Sequence, residues 1–241
     1  MNRGGMMKIV SGLVCSILLA AAILSPPTGH ASAPSGAIAA FFAKIIPQVE
    51  HKPASGGWNG AVKGGVISAG DRVKTGDGAL AIIKFNDKSI VKVREKSELL
   101  VTGEVDEKTV LKEVGMQKGV IGFIIGKQND NEQFRFTSPT SVAAIRGTAG
   151  AFTVSGRSDT LIVTEGMIQL TNTVSNESKN VGAGSTGISG ADGSLEVRAS
   201  TPAEAAAAQA LVEAGESENS LEFDLQDGQG NRKKLKIDYR E

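Results

Sequence analysis

From about Ile45 to Ile188 apolar and polar residues alternate in short runs, with no sustained helical period. Ala79-Leu80-Ala81-Ile82-Ile83-Lys84-Phe85 opens apolar on both faces, and Ile90-Val91-Lys92-Val93-Arg94 alternates valine with a cation. Phe134-Arg135-Phe136-Thr137 and Phe152-Thr153-Val154-Ser155 alternate in the same way, and Thr160 to Thr171 gives two short strands broken at Glu165-Gly166. Gly70-Asp71, Gly76-Asp77-Gly78, Asn86-Asp87-Lys88 and Asn129-Asp130-Asn131 supply turn chemistry between the runs. Strands recurring every ten residues or so, with such turns, predict an all-β domain over 45–189, a short-stranded two-layer solenoid or sandwich. No fixed-length repeat marks it as a regular β-helix.

After residue 189 the pattern changes. Residues 190–220 read as a linker holding a helix over 202–214. Thr201-Pro202-Ala203-Glu204 makes a capping box with proline at the first helical position, and Gly215 is the stop. The helix is alanine-rich and has little to bury beyond Leu211 and Val212. Residues 221–241 then read as a β-hairpin around Asp227 to Asn231, with Leu221, Phe223, Leu225, Leu235, Ile237 and Tyr239 on one apolar face. An isolated hairpin is marginal. That face is expected to dock, on the β-domain by preference or else on a partner, for which these six residues are the candidate contacts.

The first 31 residues form another unit. Arg3 and Lys8 give a positive end, an apolar stretch runs from Ile9 to Leu24, and Gly29-His30-Ala31-Ser32-Ala33 supplies small residues before Pro34. This is the layout of a secretory signal peptide. Cleavage after Ala31 or after Ala33 satisfies the small-x-small rule, and Pro34 favours the first. The apolar run is short for a bilayer span. The mature chain is therefore expected in the periplasm or outside the cell, without a membrane span, and residues 32–44 form a leader segment.

Composition narrows the chemistry. The 241 residues carry 26 basic and 26 acidic side chains, so there is no general basic excess for nucleic acid. Losing residues 1–31 removes the single cysteine, Cys15, and one of the two histidines, leaving His51. Thiol catalysis, cysteine zinc sites, disulfides and two-histidine sites are then excluded, and no cofactor or metal is expected. Gly119 to Gly126 lacks the Lys-Ser/Thr ending of a phosphate loop and reads as a buried strand approached closely by another backbone. Asp71 to Gly78 lacks the acidic ladder of a calcium loop and reads as a turn held by aspartate side chains.

Several of these pieces together resemble a FecR domain. Gly57-Trp58, Gly70-Asp71-Arg72-Val73-Lys74-Thr75-Gly76 and the polar turn Asn86 to Ser89 resemble its first half. Gln117-Lys118-Gly119-Val120 resembles its glycine-marked strand, and Val163-Thr164-Glu165-Gly166-Met167-Ile168 its last strand pair. The strongest signature is Ser138-Pro139-Thr140-Ser141-Val142-Ala143-Ala144-Ile145-Arg146-Gly147-Thr148. The resemblance implies that Trp58, Gly70, Asp71, Thr75, Gly76, Pro139, Arg146, Gly147, Thr148, Glu165 and Gly166 are family-signature residues of structural importance. Two departures are visible. Lys88 replaces the glycine usual before Ser89, and Ala149-Gly150-Ala151 intervenes before the strand at Phe152. The family's namesake regulators carry a cytoplasmic anti-sigma region, a membrane span and a receptor-contacting domain. A signal peptide beginning at residue 1 implies instead a free exported FecR domain.

Arg146 follows an apolar run, so it is expected to be largely buried, its stem on the core and its guanidinium on carbonyls or a carboxylate. Three functions follow. The leading one is a non-enzymatic exported binding, scaffold or sensory module of the bacterial cell envelope, with a protein or an envelope polymer as partner. The second is a regulatory partner in cell-surface signalling that contacts a receptor through the C-terminal hairpin. The third is a glycan-acting enzyme using two of Asp71, Asp77, Asp87 and Glu165, disfavoured by the lone Trp58 and the scarcity of aromatics.

Overall fold

The computed structural model describes residues 40–105 and 109–215, together with the backbone of 220–226 and 232–238. The chain enters at β1 (Ala40–Ile46), followed by β2 (Val49–Lys52), β3 (Asn59–Gly60), β4 (Val66–Ile67) and β5 (Arg72–Thr75). β6 (Leu80–Phe85) and β7 (Ile90–Val93) form a hairpin, then come β8 (Glu98–Val105) and the long β9 (Val110–Ile125). β10 (Glu132–Thr137), β11 (Ser141–Ile145), β12 (Thr148–Val154) and β13 (Ser158–Glu165) follow. β14 (Met167–Asn172), β15 (Ser178–Gly182), β16 (Ser185–Gly190) and β17 (Leu195–Ala199) complete the β-domain before helix α1 (Pro202–Glu213). β18 (Ser220–Gln226) and β19 (Arg232–Asp238) pair as a separate hairpin.

The fold is all-β, and its strands lie in two layers that share one strand. The first layer runs β4-β1-β6-β7-β9-β12-β13-β16-β17. The second runs β3-β2-β5-β8-β9-β10-β11-β14-β15. Every pairing is antiparallel except β9 with β10. The first part of β9 pairs with β8 and β10, and its last part with β7 and β12. The change of layer falls at Gly119, whose φ is +118°; a Cβ there would sit 2.5 Å from Ser97 Cα. No other residue fits that bend.

Inward side chains of both layers make one core, because each strand buries alternate residues. A run of phenylalanines bridges the layers at its centre. Phe85 meets Phe134 edge-on at 5.2 Å, Phe134 meets Phe136 at 5.5 Å, and Phe136 contacts Phe123 and Phe152 at 4.9 and 6.2 Å. β6 and β12 are buried on both faces. The second cover is α1, which lies on the outside of the first layer against β9, β12 and β13.

Local chemistry explains how α1 is held. The Glu204 N–H donates to Thr201 Oγ1 and the Thr201 N–H to Glu204 Oε2, closing the capping box. The Arg198 guanidinium grips both oxygens of Glu204 at 2.8 and 2.7 Å; with the Thr201 N–H it holds that carboxyl down at about 2. At the other end Lys92 Nζ, buried in the sheet, donates to the Val212 carbonyl, and Lys44 Nζ donates to the Gly215 carbonyl at 3.3 Å. The first satisfies a carbonyl that the last helical turn leaves without a partner, and the second ties down the chain just past the C-cap. Gly122 lies directly below. A Cβ there would fall 2.4 Å from the Leu211 carbonyl oxygen, so the glycine lets helix and sheet backbones touch. This is the close backbone approach expected for Gly119 to Gly126. Ala208 and Val212 are the buried helix residues, whereas Leu211 is half-buried.

Two boundaries differ from the sequence reading. β1 begins at Ala40, inside the stretch read as a leader, and β17 occupies part of the stretch read as a linker. Consecutive apolar residues in Ala40–Ile46 mask its alternation, and β17 is a short edge strand that buries only Leu195. The signal peptide, the hairpin turn and Tyr239 lie outside the described residues.

The Asn86–Ser89 turn keeps the geometry its missing glycine would provide, since Lys88 adopts φ +68°. Lys88→Gly should therefore raise stability by up to about 1 kcal/mol, measured as a shift in the urea midpoint at constant m-value. Gly122→Ala should lower it by about 1–3 kcal/mol, because the methyl group pushes α1 off the sheet. Proteolytic nicking after Leu211 at unchanged sheet circular dichroism would locate that damage.

Candidate functional site

The strongest sequence signature is a loop at one end of the domain and a corner at the other. Its first half, Ser138 to Ser141, joins β10 to β11. There the buried carboxylate of Asp159 on β13 accepts hydrogen bonds from the hydroxyls of Ser138, Thr140 and Ser141, the last at 2.7 Å. The Thr173 hydroxyl donates to the Pro139 carbonyl at 2.9 Å. Its second half is a layer crossing. The chain leaves β11 through Arg146 and Gly147 (φ +81°) and enters β12 in the other layer. It returns through Glu165 and Gly166 (φ +83°) into β14. The two corners are stacked. A Cβ on Gly166 would lie 2.8 Å from the Gly147 carbonyl oxygen, and the Thr148 hydroxyl donates to the Met167 carbonyl at 3.3 Å.

Arg146 is exposed, not buried. β11 buries Ser141, Ala143 and Ile145, so period-two alternation carries Arg146 to the outside with Val142 and Ala144. The apolar run Val142 to Ile145 hid that parity. Among the described residues no hydrogen bond or ion pair holds its guanidinium. Arg146 instead stands at the rim of a shallow depression of about 480 Å³ on the outer face of the second layer. Gln133 and Arg135 of β10, Ala144 of β11, Met167 and Gln169 of β14 and Asn180 of β15 share the lining with the backbone neighbours Phe134 and Ile145. Arg135 Nη2 donates to Gln133 Oε1 at 2.8 Å, and Met167 is 59% exposed. Of the lining residues only Arg146 is a candidate site residue on the sequence; the outward parity that Gln133, Arg135, Ala144, Gln169 and Asn180 share on neighbouring strands was the available signal.

The remaining signature residues tie strands together. Asp71 Oδ1 accepts from the Ala54 N–H and Oδ2 from the Ser68 N–H, each at 2.9 Å, and His51 Nε2 lies 2.9 Å from Oδ2. Gly70 (φ +92°) packs on Ala54 and donates its N–H to the Val101 carbonyl. At the far end of β5 the Thr75 hydroxyl donates to the Arg94 carbonyl at 2.6 Å, and the Gly76 N–H to that of Gln48 at 2.8 Å. Trp58 is 39% exposed, away from any described aromatic partner.

The four carboxylates considered for catalysis belong to separate settings. Asp71 is occupied as above, Asp77 meets Lys96 at the surface at 2.9 Å, and Glu165 is exposed at the corner. Asp87 forms a buried ion pair with Lys112 at 2.8 Å, and also accepts from Gln128 Nε2 and the Ser89 N–H. Burial pushes the Asp87 carboxyl up, yet Lys112, Gln128 and the Ser89 N–H outweigh it and hold it below its ordinary value of 3.8. The described residues contain no cluster of three or more His, Cys, Asp or Glu side chains suited to a metal. They also contain no helix long and apolar enough to cross a membrane.

Two glycine-cornered β-layers sharing one strand, with the Ser-Pro-Thr to Arg-Gly-Thr segment spanning loop and corner, define the class of domain. Residues 71–169 match the family model described as FecR protein, and the chain carries a FecR domain over that range. Two crystal structures of a candidate anti-sigma factor from Parabacteroides distasonis ATCC 8503 are similar at 11% identity. Each match covers 64% of this chain and 68% of the other, with TM-scores of 0.49 and 0.48. No curated protein matches this sequence.

An exposed guanidinium without acceptors contributes little to stability, so Arg146→Lys should leave the melting temperature unchanged. Asp87 behaves oppositely. Its folded value is depressed, so its contribution is present above pH 3.8 and lost as pH falls through the lower folded value. Asp87→Asn should remove that acid slope from a pH series of urea midpoints. It should also cost about 3 kcal/mol by stranding Lys112, which keeps only Glu132 at 3.8 Å.

Proposed function

We propose that this protein is a non-enzymatic exported binding module of the bacterial cell envelope, and that it binds through the outer face of its second layer. The observation that carries this reading is the inequality of the two outer faces. The first layer is covered over β9, β12 and β13 by α1, clamped at both ends by Arg198, Lys92 and Lys44. The second layer, over β10, β11, β14 and β15, has no described element on it and presents Arg146, Met167 and Gln169 to solvent. The signal-peptide pattern supports an envelope location. The separate structural engagement of Asp71, Asp77 and Asp87 supports a non-enzymatic role.

A second reading makes the protein a regulatory partner in cell-surface signalling through its C-terminal hairpin. The register of β18 and β19 favours it, because Leu221 pairs with Ile237 and Phe223 with Leu235. The FecR domain, whose namesakes are signalling regulators, supports it as well.

A photo-crosslinking amino acid placed in intact cells separates the two. Position 169 reports the second-layer face, position 209 the exposed side of α1, and position 236 the hairpin. Adducts at 169 and none at 209 are expected. Adducts confined to 236 would favour the signalling reading, and adducts at none of the three would sink both.

A further inference from the structure

We propose that the ligand of the second-layer face is a carboxylate-bearing polysaccharide of the cell envelope. This rests on the binding reading above and names its ligand class. The outward positions of β10, β11, β14 and β15 include Arg135 and not one acidic side chain, in a chain whose charges balance overall. Arg146 stands just past the end of β11, while the exposed Glu165 belongs to the end of β13. Glu132 is on the inward side, with its carboxylate 3.8 Å from Lys112 Nζ. Glu113 borders the face in register with Arg135, but accepts from the hydroxyls of Thr102 and Thr137 at 3.4 Å each.

The register sets out the geometry. Arg135 pairs with Ala144, Ala144 with Gln169, and Gln169 with Asn180, one row across four strands. At ~4.8 Å per strand the row is about 14 Å long, enough for several sugar units laid across the sheet. Arg146 lies diagonally from Arg135, about 7–8 Å away along the backbone grid. Ala144 leaves the space between them open. Each guanidinium can take a carboxylate through two parallel N–H bonds, and carboxamides both donate to and accept from neighbouring hydroxyls. Two charges at a fixed interval, with amides alongside, match a chain that alternates carboxylates and hydroxyls.

Other polymers fit less well. Peptides are commonly bound along sheet edges or in apolar grooves. This is a sheet face whose strands β10, β11 and β14 are paired on both sides, with Met167 its one exposed large apolar residue. Two cations are few for a polyphosphate, and among the described residues this face presents no exposed aromatic ring as a base-stacking platform, Phe134 being fully buried.

Isothermal titration of the exported chain with oligogalacturonate and with oligomannuronate tests the inference. Their methyl esters and poly-glutamate serve as controls. The expected result is binding of at least one acidic oligosaccharide and of neither ester. Arg146→Gln should weaken it about tenfold or more, the loss of a charge-assisted hydrogen bond, and the Arg135→Gln/Arg146→Gln pair should abolish it. The melting temperatures of both variants should equal that of the parent, which separates lost binding from lost folding. Binding to neither acid, equal binding of the esters, indifference to both substitutions, or preference for poly-glutamate would each overturn the proposal. If position 169 still crosslinks in cells after such a result, the face binds and only the ligand class is wrong. If it does not, both readings fall together.

Discussion

The domain depends on one strand being hydrogen-bonded in both layers. β9 has β8 and β10 as neighbours in its first part, and β7 and β12 in its last. The strands before it and those after it can form one core only because β9 passes from one sheet to the other without ending. That passage has a strict steric condition. Gly119 occupies a conformation closed to other residues and lies against Ser97, whose hydroxyl accepts the N–H of Val120 at 3.0 Å. The phenylalanine run then closes the space on both sides of the shared strand, with Phe123 of β9 in its midst.

From that central strand the two outer faces acquire different fates. In the first layer Gly122 and the small Ala151 lie in register, giving a floor low enough for helix backbone. Lys92, on the next strand, reaches up to the helix terminus. Small residues and one buried lysine therefore convert a sheet face into an interior. The second layer lacks this floor over β10, β11, β14 and β15. Its outward residues mix arginines, amides and hydroxyls with Val142, Ala144 and Met167, and no described element lies on them. The FecR signature contributes to both ends of this arrangement. Asp159 gathers its three hydroxyls in the buried loop, and Gly147 with Gly166 stacks the crossings that leave Arg146 at the surface.

Charged residues were the hardest part of the chain to read. Asp71 and Asp87 look like candidate acids and are structural acceptors, both oxygens of each meeting donors that offset the cost of burial. Parity marks the buried Lys112 and Asp159 as well. Lys112 is in step with Val114 and Met116, and Asp159 with Leu161 and Val163, all of them inward. The same rule, followed from Ala143 through Ile145, puts Arg146 outside. A charge beside apolar residues in a strand is buried or exposed according to parity, not according to the company it keeps.

The sequence by itself determined the all-β class, the capped helix, the turns and the FecR resemblance, because these rest on residue chemistry within a few positions. Only the tertiary structure decided which strands neighbour one another, that β9 serves two layers, and which outer face α1 covers. Those are matters of contact between residues far apart in the chain. Lys92 meets Val212, Asp87 meets Lys112, and Arg146 joins Gln169 and Asn180. Alternation tells which side of its own strand a residue takes; it does not tell whether that side looks onto a core, a helix or open solvent.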